Sequence, residues 1–191
     1  MTPIFKKWPS IPRLQNEIFH FSEKIDGTNS CVIIKDYQEA IESGQYWFKI
    51  KTLDNYTIFA QSRNKLLTID NDNFKFAQWV FDNAESLLNL GVGYHYGEWW
   101  GKGINKRYTI PEKRFSLFNT SLWNNVNKPE CCDIVPYLGT CNINTLQEKI
   151  QQTKDLLQVT GSYVDPNCKN PEGFIIFCEL QQQFYKWILD K

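Results

Sequence analysis

The sequence predicts a single α+β domain built mainly from antiparallel strands. Short strand-like segments separated by turn residues outnumber helical ones, which favours this class over a parallel, doubly wound fold. The 191 residues, 42% of them hydrophobic, are enough for one substantial core and a tight fit for two. We therefore expect residues 1–191 to form one domain with no additional C-terminal domain.

The first two hairpins are predicted from turn residues between alternating apolar segments. Residues 17–34 follow a strand, turn, strand pattern around Asp26-Gly27. Asp-Gly indicates a turn because Gly accepts the positive φ that a tight hairpin turn requires. Residues 46–62 repeat the pattern, with Asp54-Asn55 as the turn. Both segments are expected to form antiparallel pairs.

Two helices are predicted. Residues 73–90 carry apolar side chains at helical spacing, after the candidate cap Asp72 and before Gly91 as a stop signal. Residues 145–159 form the second predicted helix, capped near Asn144. Further strands are predicted in "GYHYGEWWG" from residue 93, "RFSLFNTSLW" from residue 114, and the terminal pair "GFIIFCEL" and "FYKWIL".

The composition narrows the classes of function. Lys plus Arg equals Asp plus Glu, 21 each, so a nucleic-acid partner would have to bind a local patch. Six cysteines without a CxxC pair, and two histidines, predict reduced and mostly buried thiols rather than disulfides or a metal site. With no long apolar run and no signal-peptide layout, we expect a cytoplasmic protein, or one in the host cytoplasm if the chain is viral.

One motif changes the interpretation of the first turn. "KIDGTN" at residues 24–29 resembles the nucleotidyltransferase signature of ATP-dependent polynucleotide ligases, and its Thr-Asn ending resembles the RNA-ligase version. DNA ligases and mRNA capping enzymes usually carry Arg where this chain has Asn29. Further elements follow in family order: "AQSRNK" at 60–65, "YGEWWG" at 96–101, "RFSLFNT" at 114–120, "PEGFIIF" at 171–177 and "FYKWILDK" at 184–191.

The resemblance spans nearly the whole chain and implies both a fold and an activity. The fold would be a nucleotidyltransferase (adenylation) domain of antiparallel sheets with flanking helices that enclose the ATP site. The activity would be that of an ATP-dependent RNA ligase, which joins RNA 3′-OH and 5′-phosphate ends through a covalent lysyl-AMP and an adenylated 5′ end. The alternatives are a DNA ligase, a capping-type nucleotidyltransferase, and a non-catalytic module that binds nucleotides or RNA ends.

The resemblance also implies the site residues. Lys24 would attack the α-phosphorus of ATP as a neutral amine, a form that burial and the nearby charge of Lys186 or a metal would favour. Asp26 and Gly27 would hold its loop, and Asn29 would recognise the RNA end. The residues implied to bind ATP or AMP are Glu23, Ile25, Arg63, Glu98, Phe118, Glu172 and Lys186.

Individual roles follow from the same resemblance. Glu98 would contact the ribose, and Phe118 would stack on adenine, with Phe115 as the alternative ring because strand alternation does not settle which one faces the ligand. Glu172 would lie near the reacting phosphates and bind Mg²⁺ or Mn²⁺. Magnesium keeps several of its waters, so few protein ligands are expected.

The last two predictions concern the C-terminal lysines and a basic segment in the middle of the chain. The family's last motif is lysine, one residue, lysine, whereas Lys186 and Lys191 are five apart, which would place them on opposite faces of a strand. Lys191 is therefore given no role. RNA contact is predicted for a basic segment whose members are Lys102, Lys106, Arg107, Lys113 and Arg114.

Overall fold

The computed structural model describes residues 7–11, 13–105 and 107–189. These residues form four α-helices, together with short 3-10 helices, at α1 Tyr37–Glu42, α2 Phe76–Asp82, α3 Ala84–Leu87 and α4 Leu146–Thr160. They form strands at β1 Ile18–Lys24, β2 Thr28–Asp36, β3 Lys49–Leu53, β4 Tyr56–Ser62, β5 Leu66–Leu67, β6 Gly93–Gly101, β7 Lys113–Leu117, β8 Cys132–Ile134, β9 Tyr137–Asn142, β10 Gly173–Cys178 and β11 Gln183–Ile188.

The strands are divided between two sheets. The smaller sheet has the order β11-β10-β1-β9 and is antiparallel throughout. The larger sheet has the order β3-β4-β2-β6-β7-β8, with β5 paired to β4, and its β7–β8 pair is parallel. The predicted α+β class with mainly antiparallel sheets is confirmed, and the strands β5, β8 and β9 and the helix α1 were not predicted.

The first predicted hairpin is wrong. Strands β1 and β2 belong to different sheets, so Asp26-Gly27 is a connection between sheets rather than a hairpin turn. A Cβ at Gly27 would lie 2.5 Å from the backbone oxygen of Trp99 and 2.7 Å from the Cβ of Trp100. Glycine is needed here because it permits the close approach of the backbone to β6. Glycine is also typical of tight turns, so the sequence alone does not distinguish the two cases.

The other two predicted strand pairs are confirmed. β3 and β4 pair across Asp54, whose φ of 50° lies in the left-handed region that a tight turn requires. A 3-10 helix occupies Tyr46–Phe48, so β3 begins three residues later than the sequence predicts. β10 and β11 pair with the register Gly173↔Ile188.

The predicted helix over residues 73–90 is broken into three pieces. α2 and α3 are separated at Asn83, whose side chain donates to the Trp79 carbonyl at 2.8 Å, and a 3-10 helix covers Leu88–Leu90. The side chain of Asp72 caps α2 as predicted, accepting from the backbone N–H groups of Ala77 at 2.7 Å and Gln78 at 3.0 Å. Periodicity alone did not show the break, because the apolar face continues through it.

The second predicted helix is present as α4, but its cap differs from the prediction. The side chain of Asn142 accepts from the backbone N–H groups of Asn144 and Thr145 and caps a 3-10 turn at Ile143–Thr145, which leads into α4. The cap lies two residues before Asn144 because this 3-10 turn was not predicted.

Helices α2, α3 and α4 cover one face of the two sheets, and α1 packs against part of the opposite face of the larger sheet. On the larger sheet, α2 and α3 cover a core that includes Val32, Phe76 and Leu117. On the smaller sheet, α4 covers Phe21 and Phe174. The opposite face of each sheet, which we call the site face, carries the polar residues considered below.

The state of the cysteines and the lengths of the helices can be compared with the sequence predictions. All six cysteines are free, and four of them are buried, as predicted. Within residues 7–11, 13–105 and 107–189, none of the helices has the length and apolar character needed to cross a bilayer.

Substituting Asp72 tests the cap of α2. Asp72→Ala leaves two helical N–H groups without their acceptor, so we expect the free energy of unfolding to fall by about 1–2 kcal/mol. Urea denaturation measures the loss. The matched control is Asp70→Ala, an exposed position two residues earlier, where a change within about 0.5 kcal/mol is expected. Equal losses in the two variants would contradict the capping role.

Candidate active site

The centre of the site is a contact between Lys24 and Glu172. Lys24 is the last residue of β1 and pairs with Gly173, the first residue of β10, so Glu172 lies directly beside it. The Lys24 Nζ donates to the Glu172 Oε2 at 2.6 Å, and both side chains are about four-fifths buried, with 23% and 20% exposed. Two residues 148 positions apart are therefore brought together by the pairing of adjacent strands.

Lys186 shares the site face of the smaller sheet with Lys24. Ser22 pairs with Ile175, which pairs with Lys186, and alternation places Ser22 and Lys24 on the same face. β11 lies two strands from β1, a lateral distance of about 10 Å. The Lys186 side chain is exposed. Lys191 lies outside the described residues.

The larger sheet contributes Glu98, Asn29 and Arg63. Asn29 pairs with Glu98 across β2 and β6, and the Asn29 Nδ2 lies 3.4 Å from the Glu98 Oε2. The Arg63 guanidinium, just beyond β4, donates to the Asn29 Oδ1. The three side chains form a hydrogen-bonded chain across neighbouring strands.

Charges from both sheets act on Glu98. Burial raises the pKa of Glu98 to about 7, and the negative charge of Glu172 acts in the same direction. The positive charges of Lys24 and Arg63 and the Gly27 N–H partly offset this rise. Because these charges lie on both sheets, Lys24, Glu172 and Glu98 form one electrostatic site.

The loop after Lys24 is held by a segment that the sequence assigned to RNA. The Arg107 Nε donates to the Asp26 Oδ2 at 2.7 Å, and the Asp26 N–H donates to the Tyr108 hydroxyl at 2.8 Å. The Asn105 side chain donates to the Asp26 carbonyl. Arg107 also donates to the carbonyl of Asn170, two residues before Glu172, so it joins the Lys24 loop to the Glu172 loop. No local sequence signal indicated this fold-back; only the basic character of the segment was visible.

The structure distinguishes the two candidate stacking rings. Phe115 is fully buried in the core under α2, where it packs against Phe76 and Trp79. Phe118 is half-buried and packs beside the cluster that contains Ile25 and Trp100. Since Phe115 faces the core, Phe118 remains the candidate stacking ring.

Glu23 does not reach the site with its side chain. Strand alternation turns it away from Lys24, and its carboxylate accepts from the Ser162 hydroxyl at 2.5 Å and the Tyr163 N–H at 2.8 Å. Burial raises the pKa of this carboxyl, while the two hydrogen bonds lower it. This side chain anchors the loop that follows α4, and the ATP or AMP contact predicted for Glu23 stays a prediction.

Solved structures share this arrangement of sheets. Naegleria gruberi RNA ligase with PPi matches with a TM-score of 0.58 and 19% identity over 97% of this chain and 56% of that one. An apo mutant RNA ligase from the same organism matches with a TM-score of 0.55 and 19% identity over 92% of this chain and 50% of that one. The chain has the fold of these RNA ligases. It spans about half of their length.

The fold implied by the sequence resemblance is thus confirmed. No protein-family model matches the chain, and no curated protein does. At 19% identity, the likeness to the RNA ligases extends to the fold and leaves the roles of single residues as predictions.

Within this RNA-ligase fold, the predicted RNA-contact segment is partly occupied by ion pairs. Arg114 contacts Glu112 and lies 3.7 Å from Asp133, and Arg107 contacts Asp26. Lys102 is exposed, Lys113 is half-buried, and Lys106 lies outside the described residues. Two of the four described members therefore already have carboxylate partners.

The carboxylates of the site are suited to a weakly held magnesium. Within the described part of the chain, no group of three or more His, Cys, Asp or Glu could hold a metal ion. Glu172 is partly exposed, and its negative charge raises the pKa of Glu98. Magnesium that keeps most of its waters, or takes phosphate oxygens as ligands, needs only one or two carboxylates. The residues present fit such an ion.

A test of the loop anchor follows from the Arg107–Asp26 pair. Arg107→Ala removes a charge-assisted hydrogen bond that is only one-quarter to one-third exposed, so we expect a loss of about 1–2 kcal/mol in the free energy of unfolding. A double-mutant cycle with Asp26→Asn isolates the coupling. The control Arg114→Ala breaks a more exposed pair and should cost less than about 1 kcal/mol. A coupling energy near zero would contradict the anchor.

The burial of Glu98 predicts a pH-dependent stability. Its pKa is about 7 in the folded protein against 4.5 ordinarily, so the folded state binds more protons between these values and stability falls as pH rises through them. Glu98→Gln removes this dependence. Relative to the original protein, the variant should gain about 2–3 kcal/mol between pH 5 and pH 8, measured by urea denaturation. The exposed Glu85→Gln is the control, and a pH-independent difference for Glu98→Gln would refute the assignment.

Proposed function

We propose that this chain is the adenylyltransferase part of an ATP-dependent RNA ligase. The observation that carries the proposal is the Lys24–Glu172 contact of 2.6 Å, formed by residues of two family-like motifs at the ends of adjacent strands. Glu98 and Lys186 stand on the neighbouring site faces, and the fold is shared with solved RNA ligases. No observation in the described part of the chain specifically favours the alternative hypotheses of a DNA ligase or a capping-type nucleotidyltransferase.

In the first step, the Lys24 Nζ attacks the α-phosphorus of ATP. An N–P bond forms, the bond from that phosphorus to the oxygen bridging to the β-phosphate breaks, and pyrophosphate leaves. A lysine ammonium has no lone pair, so its proton must leave before the attack. The Glu172 carboxylate at 2.6 Å is within reach to accept it.

The neighbouring side chains would position the nucleotide. Lys186 would contact the phosphates from the same sheet face, and Glu98 would accept a hydrogen bond from the ribose. Phe118 would stack on the adenine, beside the apolar contact offered by Ile25. Bound magnesium would neutralise charge on the phosphate oxygens. Glu172, and secondarily Glu98, are the residues that would hold it.

Two further steps complete sealing. An oxygen of the RNA 5′-phosphate attacks the phosphorus of lysyl-AMP, the N–P bond breaks, and Lys24 regains its amine. The RNA 3′-OH then attacks the 5′-phosphorus of the adenylated RNA and releases AMP. Asn29, which is hydrogen-bonded to Arg63 and Glu98, would contact the RNA end in these steps.

Covalent labelling tests the first step directly. The protein is incubated with ATP labelled at the α-phosphate and with Mg²⁺ or Mn²⁺, and label that survives denaturation is measured. We expect an acid-labile, alkali-stable adduct, as a phosphoramidate requires. Lys24→Ala should abolish it, because the nucleophile is gone, and Lys169→Ala should retain it, because Lys169 is an exposed lysine outside the proposed site.

The labelling result is interpretable only for folded protein, so circular dichroism accompanies each sample. Folded protein that remains unlabelled with both metals would refute the proposed chemistry. Label that persists in Lys24→Ala would show that another residue is the nucleophile.

A further inference from the structure

A cavity lies further along the site face of the larger sheet. It is an open depression with a volume of about 500 Å³. Ile33 and Tyr94, which pair across β2 and β6, are among its lining residues. Tyr94 lies four residues before Glu98 on β6, so the two share a face and are about 13 Å apart along the strand.

The lining is positively charged. Arg63 and Lys65 are its cations, and none of the described residues that line it is Asp or Glu. The Lys65 Nζ donates to the Asn71 Oδ1, and the Arg63 guanidinium donates to the Asn29 Oδ1. Both partners are neutral amides. Among the described residues neither cation forms an ion pair, and their charge is left for an anion.

Exposed aromatic rings stand beside these cations. The side chains of Phe48 and Tyr94 line the cavity and are 42% and 53% exposed. The Tyr94 ring is nearly parallel to that of Tyr96, with an interplanar angle of 14° and 6.4 Å between centroids. Tyr96 is the next site-face residue toward Glu98, so the two rings form a path that leads to the Lys24 site.

Cations for phosphates, aromatic rings for bases, and amide side chains such as Gln61 and Asn64 are the usual components of a single-strand binding groove. The site is also continuous with the proposed active site, because Arg63 lines the cavity and bonds Asn29. A flat apolar protein partner would leave the two cations without counter-charges.

The geometry points to this cavity as a subsite for a nucleotide of the single-stranded RNA whose end lies at Lys24. The inference rests on the proposed function, which supplies RNA as the polymer. A base stacks on Tyr94 in place of the Lys35 ammonium, which lies 5.5 Å from the centroid of that ring. Lys65 contacts a phosphate. This path differs from the basic segment of residues 102–114, where Arg107 and Arg114 are held in ion pairs.

RNA-binding measurements distinguish the stacking contact of Tyr94 from the phosphate contact of Lys65. A fluorescent single-stranded RNA of twelve nucleotides, without ATP, is titrated with the full chain and its variants, and anisotropy is recorded at several salt concentrations. We expect Tyr94→Ala to weaken binding about 10-fold with an unchanged salt dependence, since stacking is lost. Lys65→Ala should weaken binding and reduce the slope of log K against log salt by about 0.7, since one phosphate contact is lost.

Matched controls are available on other surfaces. Tyr185 is 53% exposed, as Tyr94 is, and lies on the face of β11 opposite Lys186, so Tyr185→Ala should bind RNA within twofold of the original protein. Lys169→Ala is the control for the loss of one positive charge. Circular dichroism confirms that each variant is folded.

The outcomes distinguish this inference from the proposed function. If folded Tyr94→Ala and Lys65→Ala bind RNA as their controls do, the subsite is refuted, whether or not Lys24 is labelled by ATP. If AMP displaces the RNA from the original protein but not from Tyr94→Ala, the cavity is a mononucleotide pocket and the inference is also refuted. Selective weakening in both variants supports the subsite, and absence of Lys24 labelling in the same preparation would then refute only the catalytic proposal.

Discussion

The close approach of Gly27 to β6 is the constraint on which the site depends. Because no side chain intervenes between Gly27 and the backbone of Trp99, the chain can leave the smaller sheet after β1 and enter the larger one at β2. Lys24 then ends a strand of one sheet, and Asn29 begins a strand of the other. Lys24 and the polar groups around it are thereby fixed at the ends of strands rather than on a long loop.

Contacts between opposite charges offset the cost of burying charged side chains at this connection. Glu172 is paired with Lys24, and Asp26 with Arg107, so each partly buried charge at the connection has an opposite charge in contact. Among the described residues, Glu98 forms no ion pair, and its raised pKa is the consequence of burial near Glu172. The site therefore holds protons and charges that a bound nucleotide and metal would redistribute.

The surfaces around the site differ in how their cations are used. Arg107 and Arg114 are bound by carboxylates and stabilise the fold, although the sequence presents them as a basic patch. Arg63 and Lys65 are bound by neutral amides and remain electrostatically available. Since the net charge of the chain is zero, the pairing of individual cations decides where a polyanion can bind.

By itself, the sequence determined the α+β class, the β3–β4 and β10–β11 pairs, the Asp72 cap and the lysine motif, because these depend on local alternation, turn residues and order along the chain. Only the tertiary structure decided that β1 and β2 lie in different sheets, that Phe115 is a core residue, and that Arg107 holds Asp26. Each of these depends on contacts between residues far apart in sequence. Local patterns cannot encode them, because a glycine that permits a turn and one that permits close packing look the same.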